Sequence, residues 1–189
     1  MASDVRPVRR KTRPCLSRLA ATVGRVETCP TCPFAWDTVT RSEISPRILT
    51  VTQQFSQLVR DHADTASRRP SESSWSMLEY GCHVRDVLFN LRDRIILGAA
   101  EDNPTPNRLY PDVRVDLGLY TADDPQQLAD EIATAAALFT RTIDVLPRGY
   151  ELRPIFYNWP VAATRTLGWV AAQALHECEH HYSDARAQT

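Results

Sequence analysis

Three of the chain's five histidines fall within ten residues, Leu175-His176-Glu177-Cys178-Glu179-His180-His181-Tyr182-Ser183-Asp184, interleaved with three carboxylates. Imidazole and carboxylate are the donors that hold zinc and other divalent first-row metals, so metal chemistry is the first thing to test. No Gly or Pro occurs from Trp169 onward, and the segment reads as a helix. Residues four apart on a helix share a face. Two chelating pairs are therefore available, Glu177 with His181 and His176 with His180. At about 100° per residue, Leu167, Ala171, Ala174, Cys178, Tyr182 and Ala185 form an apolar stripe that must face a core. His176 and His180 fall opposite this stripe and are expected to point at water. Glu177 and His181 lie on its flank, with Asp184 below them. A metal belongs at the edge of a core, shielded but reachable, which favours Glu177 and His181.

A catalytic metal takes at least one more protein ligand. The remaining histidines are His62 and His83. His62 lies at the end of a first helical stripe and reads as a half-buried polar residue. Around His83, Ser76 and Glu79 form a Ser-x-x-Glu capping box. Met77, Tyr80, Val84, Val87, Leu88, Leu91 and Ile95 then recur at helical spacing. His83 sits on the shoulder of that stripe, so two helices can each offer a ligand to one ion.

Trp75-Ser-x-x-Glu-x-x-x-His83-x-x-Asp86, followed by a distant Glu177-x-x-x-His181-x-x-Asp184, resembles the DinB-like superfamily. These are metal-binding four-helix bundles, among them mycothiol- and bacillithiol-dependent transferases and the mycothiol-dependent maleylpyruvate isomerase. The likeness covers roughly residues 45–189 and extends to Tyr157-Asn158-Trp159-Pro160. It implies an all-α bundle whose metal ligands are His83, Glu177 and His181. It also implies a low-molecular-weight thiol, mycothiol-like, as co-substrate.

Two imidazoles and a carboxylate with open positions suit Zn²⁺ as a Lewis acid, with Ni²⁺ or Fe²⁺ as alternatives. A nucleophile in the open position, thiol or water, would be activated at neutral pH. Asp86 and Asp184, each three residues beyond a candidate His, are candidates to accept the second ring N–H. Tyr110, Arg114 and Tyr120 are candidates to line a substrate pocket. Three functions follow: a metal-dependent S-transferase or isomerase; a metal-assisted hydrolysis, elimination or rearrangement without a thiol; or a non-enzymatic stress or binding protein on the same scaffold.

These residues must be positioned by helices whose limits can be read from caps and breakers. A first helix is expected over 45–68, with Ile48, Val51, Phe55, Leu58 and Val59 inward. A second is expected over 76–100, a third over 124–146, and the last over 161–187. The third opens on Asp124-Pro125, a cap followed by a first-turn proline. Residues 101–123, with Pro104, Pro106 and Pro111, form one long crossover. Residues 148–160 allow a short extended piece, but no β-hairpin pair is evident. Four helices with one long crossover read as a bundle.

Ahead of the bundle, residues 1–27 are basic and are expected to be a disordered arm. Residues 28–44 contain Cys29-Pro-Thr-Cys32 and form an irregular extension packed on, or leading into, the bundle at 45–189. A Cys-x-x-Cys is half of a zinc site, but no matching second pair is evident, so a structural role for it leads over metal or redox use. Cys178, at the centre of the last stripe, should behave as a small buried hydrophobe.

At 189 residues the chain is one domain by length, with 43% hydrophobic residues and a net charge of −1. Nothing in that balance calls for nucleic acid or membrane. No apolar run approaches the ~20 residues that span a bilayer. Five cysteines without an apolar leader fit a reducing cytoplasm better than a disulfide framework. The expected partner is a small-molecule substrate, and a homodimer is compatible with the chain.

Overall fold

The long helices begin where side chains can satisfy the first free N–H groups of a helix. The computed structural model describes residues 26–158 and 161–189, so most of the basic arm lies outside the described residues. Helix α1 (Arg41–Asp61) opens ahead of the expected Ser45. The Glu43 carboxylate accepts the Thr40 N–H at 2.8 Å, a capping box that carries Pro46 inside the helix. The helix ends at Asp61, and turns rather than helix lead on to Ser67.

Helix α2 (Met77–Ala100) starts at the Ser76–Glu79 box. The Ser76 N–H donates to Glu79 Oε2 at 2.7 Å, and the Glu79 N–H donates to Ser76 Oγ at 3.2 Å. Glu79 is fully buried, and Arg69 caps its carboxylate with a two-pronged ion pair. The crossover carries a short helix, α3 (Pro111–Asp116). Helix α4 (Pro125–Val145) is capped by Asp124, whose Oδ1 accepts the Gln127 N–H at 2.9 Å.

A two-stranded antiparallel hairpin follows, β1 (Pro154–Tyr157) and β2 (Ala163–Thr166), in register Pro154↔Thr166 to Tyr157↔Ala163. This corrects the reading that no hairpin is present. Each strand has only four residues, too few for a period-2 pattern to stand out. The hairpin also takes up residues expected to begin the last helix, so α5 starts late, at Leu167–Arg186. The fold is otherwise helical. Among the described residues no helix is long and apolar enough to cross a membrane.

Helices α1 and α2 touch each other little, and each packs against both α4 and α5. The cyclic order is therefore α1, α4, α2, α5, with α1 and α2 on a diagonal. Phe55, Ile48, Leu88, Ile95, Ile132 and Phe139 fill the centre with no exposed surface. This order makes α2 and α5 neighbours, which brings the two candidate ligand-bearing helices together.

Residues 27–39 cover the outer face of α5. Phe34 and Trp36 are buried there. The Glu27 carboxylate forms a two-pronged ion pair with Arg165 at 2.8 and 3.0 Å, so the fixed segment starts before the expected limit at residue 28. Helix α5 is consequently buried almost all round, including Val170, Ala172, Leu175, His176 and His180.

Candidate metal centre

His83 comes from the second turn of α2, and Glu177 and His181 come from one face of α5. Glu177 Oε2 lies 3.2 Å from His83 Nε2 and 3.2 Å from His181 Nε2. Donors held at 2.0–2.1 Å on a tetrahedron stand about 3.3 Å apart, so both separations from Glu177 Oε2 match a zinc-sized ion, and the ligand atoms of all three residues lie within 4.8 Å of one another. The donor set, two imidazoles and a carboxylate, also fits such an ion. The His83 and His181 side chains are 8% exposed and that of Glu177 is 17% exposed, so the cluster is largely shielded from water.

Neighbouring groups fix the orientation of two of the three. Gln173 Nε2 donates to Glu177 Oε1 at 2.6 Å, leaving Oε2 for the centre. Gln173 Oε1 in turn accepts the Trp36 indole N–H at 2.8 Å, so the N-terminal segment reaches the ligand through one amide. His181 Nδ1 is 3.1 Å from Asp184 Oδ2. That contact fixes the ring with Nε2 toward Glu177, the carboxylate–histidine arrangement of metal sites. His83 Nδ1 is buried without a hydrogen-bond partner among the described residues. Aromatic rings close the rest of the wall: Tyr80 stacks on His181 with centroids 5.3 Å apart, and Trp75 meets His83 edge-on at 5.3 Å.

Electrostatics follow from this packing. Burial opposes the charged form of His181, yet the hydrogen bonds to Asp184 and Glu177 outweigh it and raise the ring to about 9. Burial also opposes the Glu177 carboxylate, and the hydrogen bonds from His181 and His83 more than offset it, holding Glu177 well below the usual carboxylate range. For His83 burial dominates and lowers its pKa, despite Glu177. Near neutral pH the metal-free cluster is thus a neutral His83, an ionised Glu177 and a protonated His181.

Other residues singled out in the sequence lie elsewhere. Asp86 does not reach the His83 ring. Its carboxylate takes Arg85 at 2.9 Å, Arg114 at 2.7 Å and the Tyr120 hydroxyl at 3.1 Å. Asp86, Arg114 and Tyr120 therefore fasten the crossover to α2. Tyr120 is 1% exposed and cannot line an open pocket, whereas Tyr110 is 54% exposed with Arg108 over its ring. A side chain's offset from a ligand on one helix could not reveal that a basic residue from the crossover would claim it first. Gln173 and Trp36 gave no sequence signal, because an amide one turn ahead of a Glu is a common helix surface pattern.

The expectation that His176 and His180 face water is corrected. They are 6% and 8% exposed, because the Cys-x-x-Cys segment packs over that side of α5. Phe34 and Trp36 contact the His176 ring at centroid distances of 5.1 and 4.7 Å. Cys178 is fully buried.

A diagonal four-helix bundle with a His/Glu/His cluster between its second and last long helices defines a class of metal-binding bundle. The chain belongs to the DinB superfamily, whose family model matches residues 47–185. Among solved structures it is similar to YfiT from Bacillus subtilis, at 15% identity and a TM-score of 0.72, covering 80% of this chain and 88% of that one. YfiT is described as a probable metal-dependent hydrolase with an unusual four-helix bundle topology. No curated protein matches in sequence.

Proposed function

We propose that the protein is a metal-dependent enzyme in which His83, Glu177 and His181 hold one divalent ion, zinc by preference, and a small molecule is the substrate. The observation that carries this reading is the pair of 3.2 Å separations from Glu177 Oε2 to the two Nε2 atoms. Bound there, the ion would act as a Lewis acid and lower the pKa of a nucleophile in its open position. Glu177 supplies one negative charge and is held by Gln173, while Asp184 accepts the His181 Nδ1 proton and keeps the opposite nitrogen free to ligate. Trp75 and Tyr80 exclude bulk water from the ligand side.

The two thiols buried in the bundle, Cys82 and Cys178, are poor nucleophiles. Burial drives the Cys178 pKa far up, and the Cys82 sulfur is 3.2 Å from Asp123 Oδ2 in a buried setting that also raises its pKa. We take the nucleophile to come from solution, as water or as a small thiol. Water gives hydrolysis, in line with the description of YfiT as a probable metal-dependent hydrolase. A mycothiol-like thiol gives S-transfer or isomerisation, as the family resemblance suggests.

The test is metal content after dialysis for H83A, E177A and H181A, each against wild type. Each variant should lose the equivalent bound at this centre. Retention by all three overturns the reading. Adding a small thiol to the cobalt-substituted protein then separates the two chemistries: a new thiolate-to-cobalt absorption marks the thiol branch, and an unchanged spectrum marks water.

A further inference from the structure

The Cys-x-x-Cys turn, which the centre just described does not use, sits against the adjacent face of the same helix, where the His180 and His181 rings are 5.0 Å apart. Residues 28 and 35 form an antiparallel bridge, and the Cys29 N–H donates to the Phe34 carbonyl at 2.9 Å, so the two cysteines occupy the tip of a tight reversal. That tip meets His176 and His180. Ligand atoms from Cys29, Cys32, His176 and His180 all lie within 4.8 Å of one another. Cys29, His176 and His180 are each at most 8% exposed. Both ring nitrogens of His176 are buried without a hydrogen-bond partner among the described residues, an arrangement that costs free energy unless something else binds them. Asp184 Oδ2 lies 3.4 Å from His180 Nε2, and Thr31 Oγ1 lies 3.4 Å from Cys29 Sγ.

We infer that Cys29, Cys32, His176 and His180 form a second, four-ligand zinc site that clamps the N-terminal segment onto α5. The spacing is Cys-x2-Cys with His-x3-His, within the range used by Cys2His2 sites, although the two pairs come from distant parts of the chain. The donor atoms of such a site stand about 3.3 to 3.8 Å apart, from Zn–N of 2.0–2.1 Å and Zn–S of 2.3 Å. Four protein ligands leave no position for substrate, so this ion is structural. Its effect reaches the other centre through the segment it anchors: Trp36 donates to Gln173, and Gln173 donates to Glu177. The two sites occupy adjacent faces of one helix, at 176/180 and 177/181. On binding, the two thiols lose their protons and the ion gains two thiolates.

The full chain is prepared with zinc, dialysed, and compared with C29S/C32S and with H83A/H181A. Wild type should retain two equivalents, and each double variant one. Cobalt-loaded wild type and H83A/H181A should show a thiolate-to-cobalt charge-transfer band that C29S/C32S loses. In wild type, which needs no variant to fold, a chelator should unmask Cys29 and Cys32 to alkylation read by peptide mass spectrometry. A single equivalent in wild type that C29S/C32S loses would uphold this site and count against the His83 centre. Full metal retention by C29S/C32S, no charge-transfer band in wild type, a Cys29–Cys32 disulfide, or alkylation unaffected by chelator would each overturn it.

Discussion

Metal binding at the His83–Glu177–His181 centre should be paid for in protons, and the cost follows from the cluster's own ion pairs. In the metal-free protein His181 titrates at about 9, so at pH 7 its ring is almost wholly protonated. Binding a metal through Nε2 must expel that proton. Two pH units below the pKa, the competition weakens apparent affinity about 100-fold, or about 2.7 kcal/mol, relative to pH values above 9. Between pH 6 and 7 the apparent affinity should rise about tenfold. Glu177 is held well below the usual carboxylate range and burial lowers the His83 pKa, so the His181 ring is the one whose proton the metal displaces. The assay is chelator-buffered zinc titration of the C29S/C32S protein, with isothermal titration calorimetry at pH 6.5 in buffers of different ionisation enthalpy. C29S/C32S is used so that thiol protons do not enter the count. About one proton released per metal is expected. In D184N one of the two acceptors that raise His181 is gone, and less than one proton should be released at pH 7.5. Affinity that is flat between pH 6 and 7, or no release at pH 6.5, would refute the charge assignment.

The same cluster predicts how the metal-free fold responds to pH. The raised His181 pKa contributes stability that is complete below 6.5 and is lost as pH rises through about 9. Thermal melts of chelator-treated protein should therefore fall between those values, and zinc should flatten the decline. Gln173→Leu cuts the amide link to Glu177 and should weaken zinc binding at this centre 10- to 100-fold, read by competition with a chromogenic chelator, while the helical circular dichroism persists. Glu79→Ala removes a buried carboxylate that caps α2 and pairs with Arg69, and urea unfolding should show a loss of about 2 kcal/mol. Phe139→Ala empties a fully buried position in α4 and should cost about 3–5 kcal/mol by the same measurement.

The helices were legible where their caps are local. Ser76 with Glu79 and Asp124 with Pro125 fix starts within a few residues, and the structure uses both. Residues 41–44 lie ahead of the expected start at 45 because Thr40 and Glu43 cap the helix before Pro46, which sits inside it. The flanking positions of His83, Glu177 and His181 could be drawn from helical spacing, since each lies beside an apolar stripe. The second histidine pair could not. A helical wheel assigns one wet face, and that assumption fails for a helix covered from both sides. Here the cover is an irregular segment whose packing partners, Phe34 and Trp36, carry no periodic signal. The missing partners of Cys29 and Cys32 lay on the very helix whose faces were being sorted. Asp86 failed for a related reason: its partners Arg114 and Tyr120 arrive from a crossover whose path no local pattern specifies.

The placement of tryptophans gives the molecule two optical channels. Trp75 sits 5.3 Å from the His83 ring and 6.4 Å from His181. Trp36 sits 4.7 Å from His176 and stacks on Trp169 at 6.0 Å. An indole excited beside a protonated imidazole loses emission by charge transfer, and a neutral ring quenches it less. Each histidine cluster therefore has its own fluorophore in contact, on adjacent faces of α5. Comparing wild type with Trp75→Phe gives the signal of the His83 side by difference, and comparing it with Trp36→Phe gives that of the His176 side, since Trp159 and Trp169 emit in both variants. Filling of the two faces can then be followed separately, in real time and without a label.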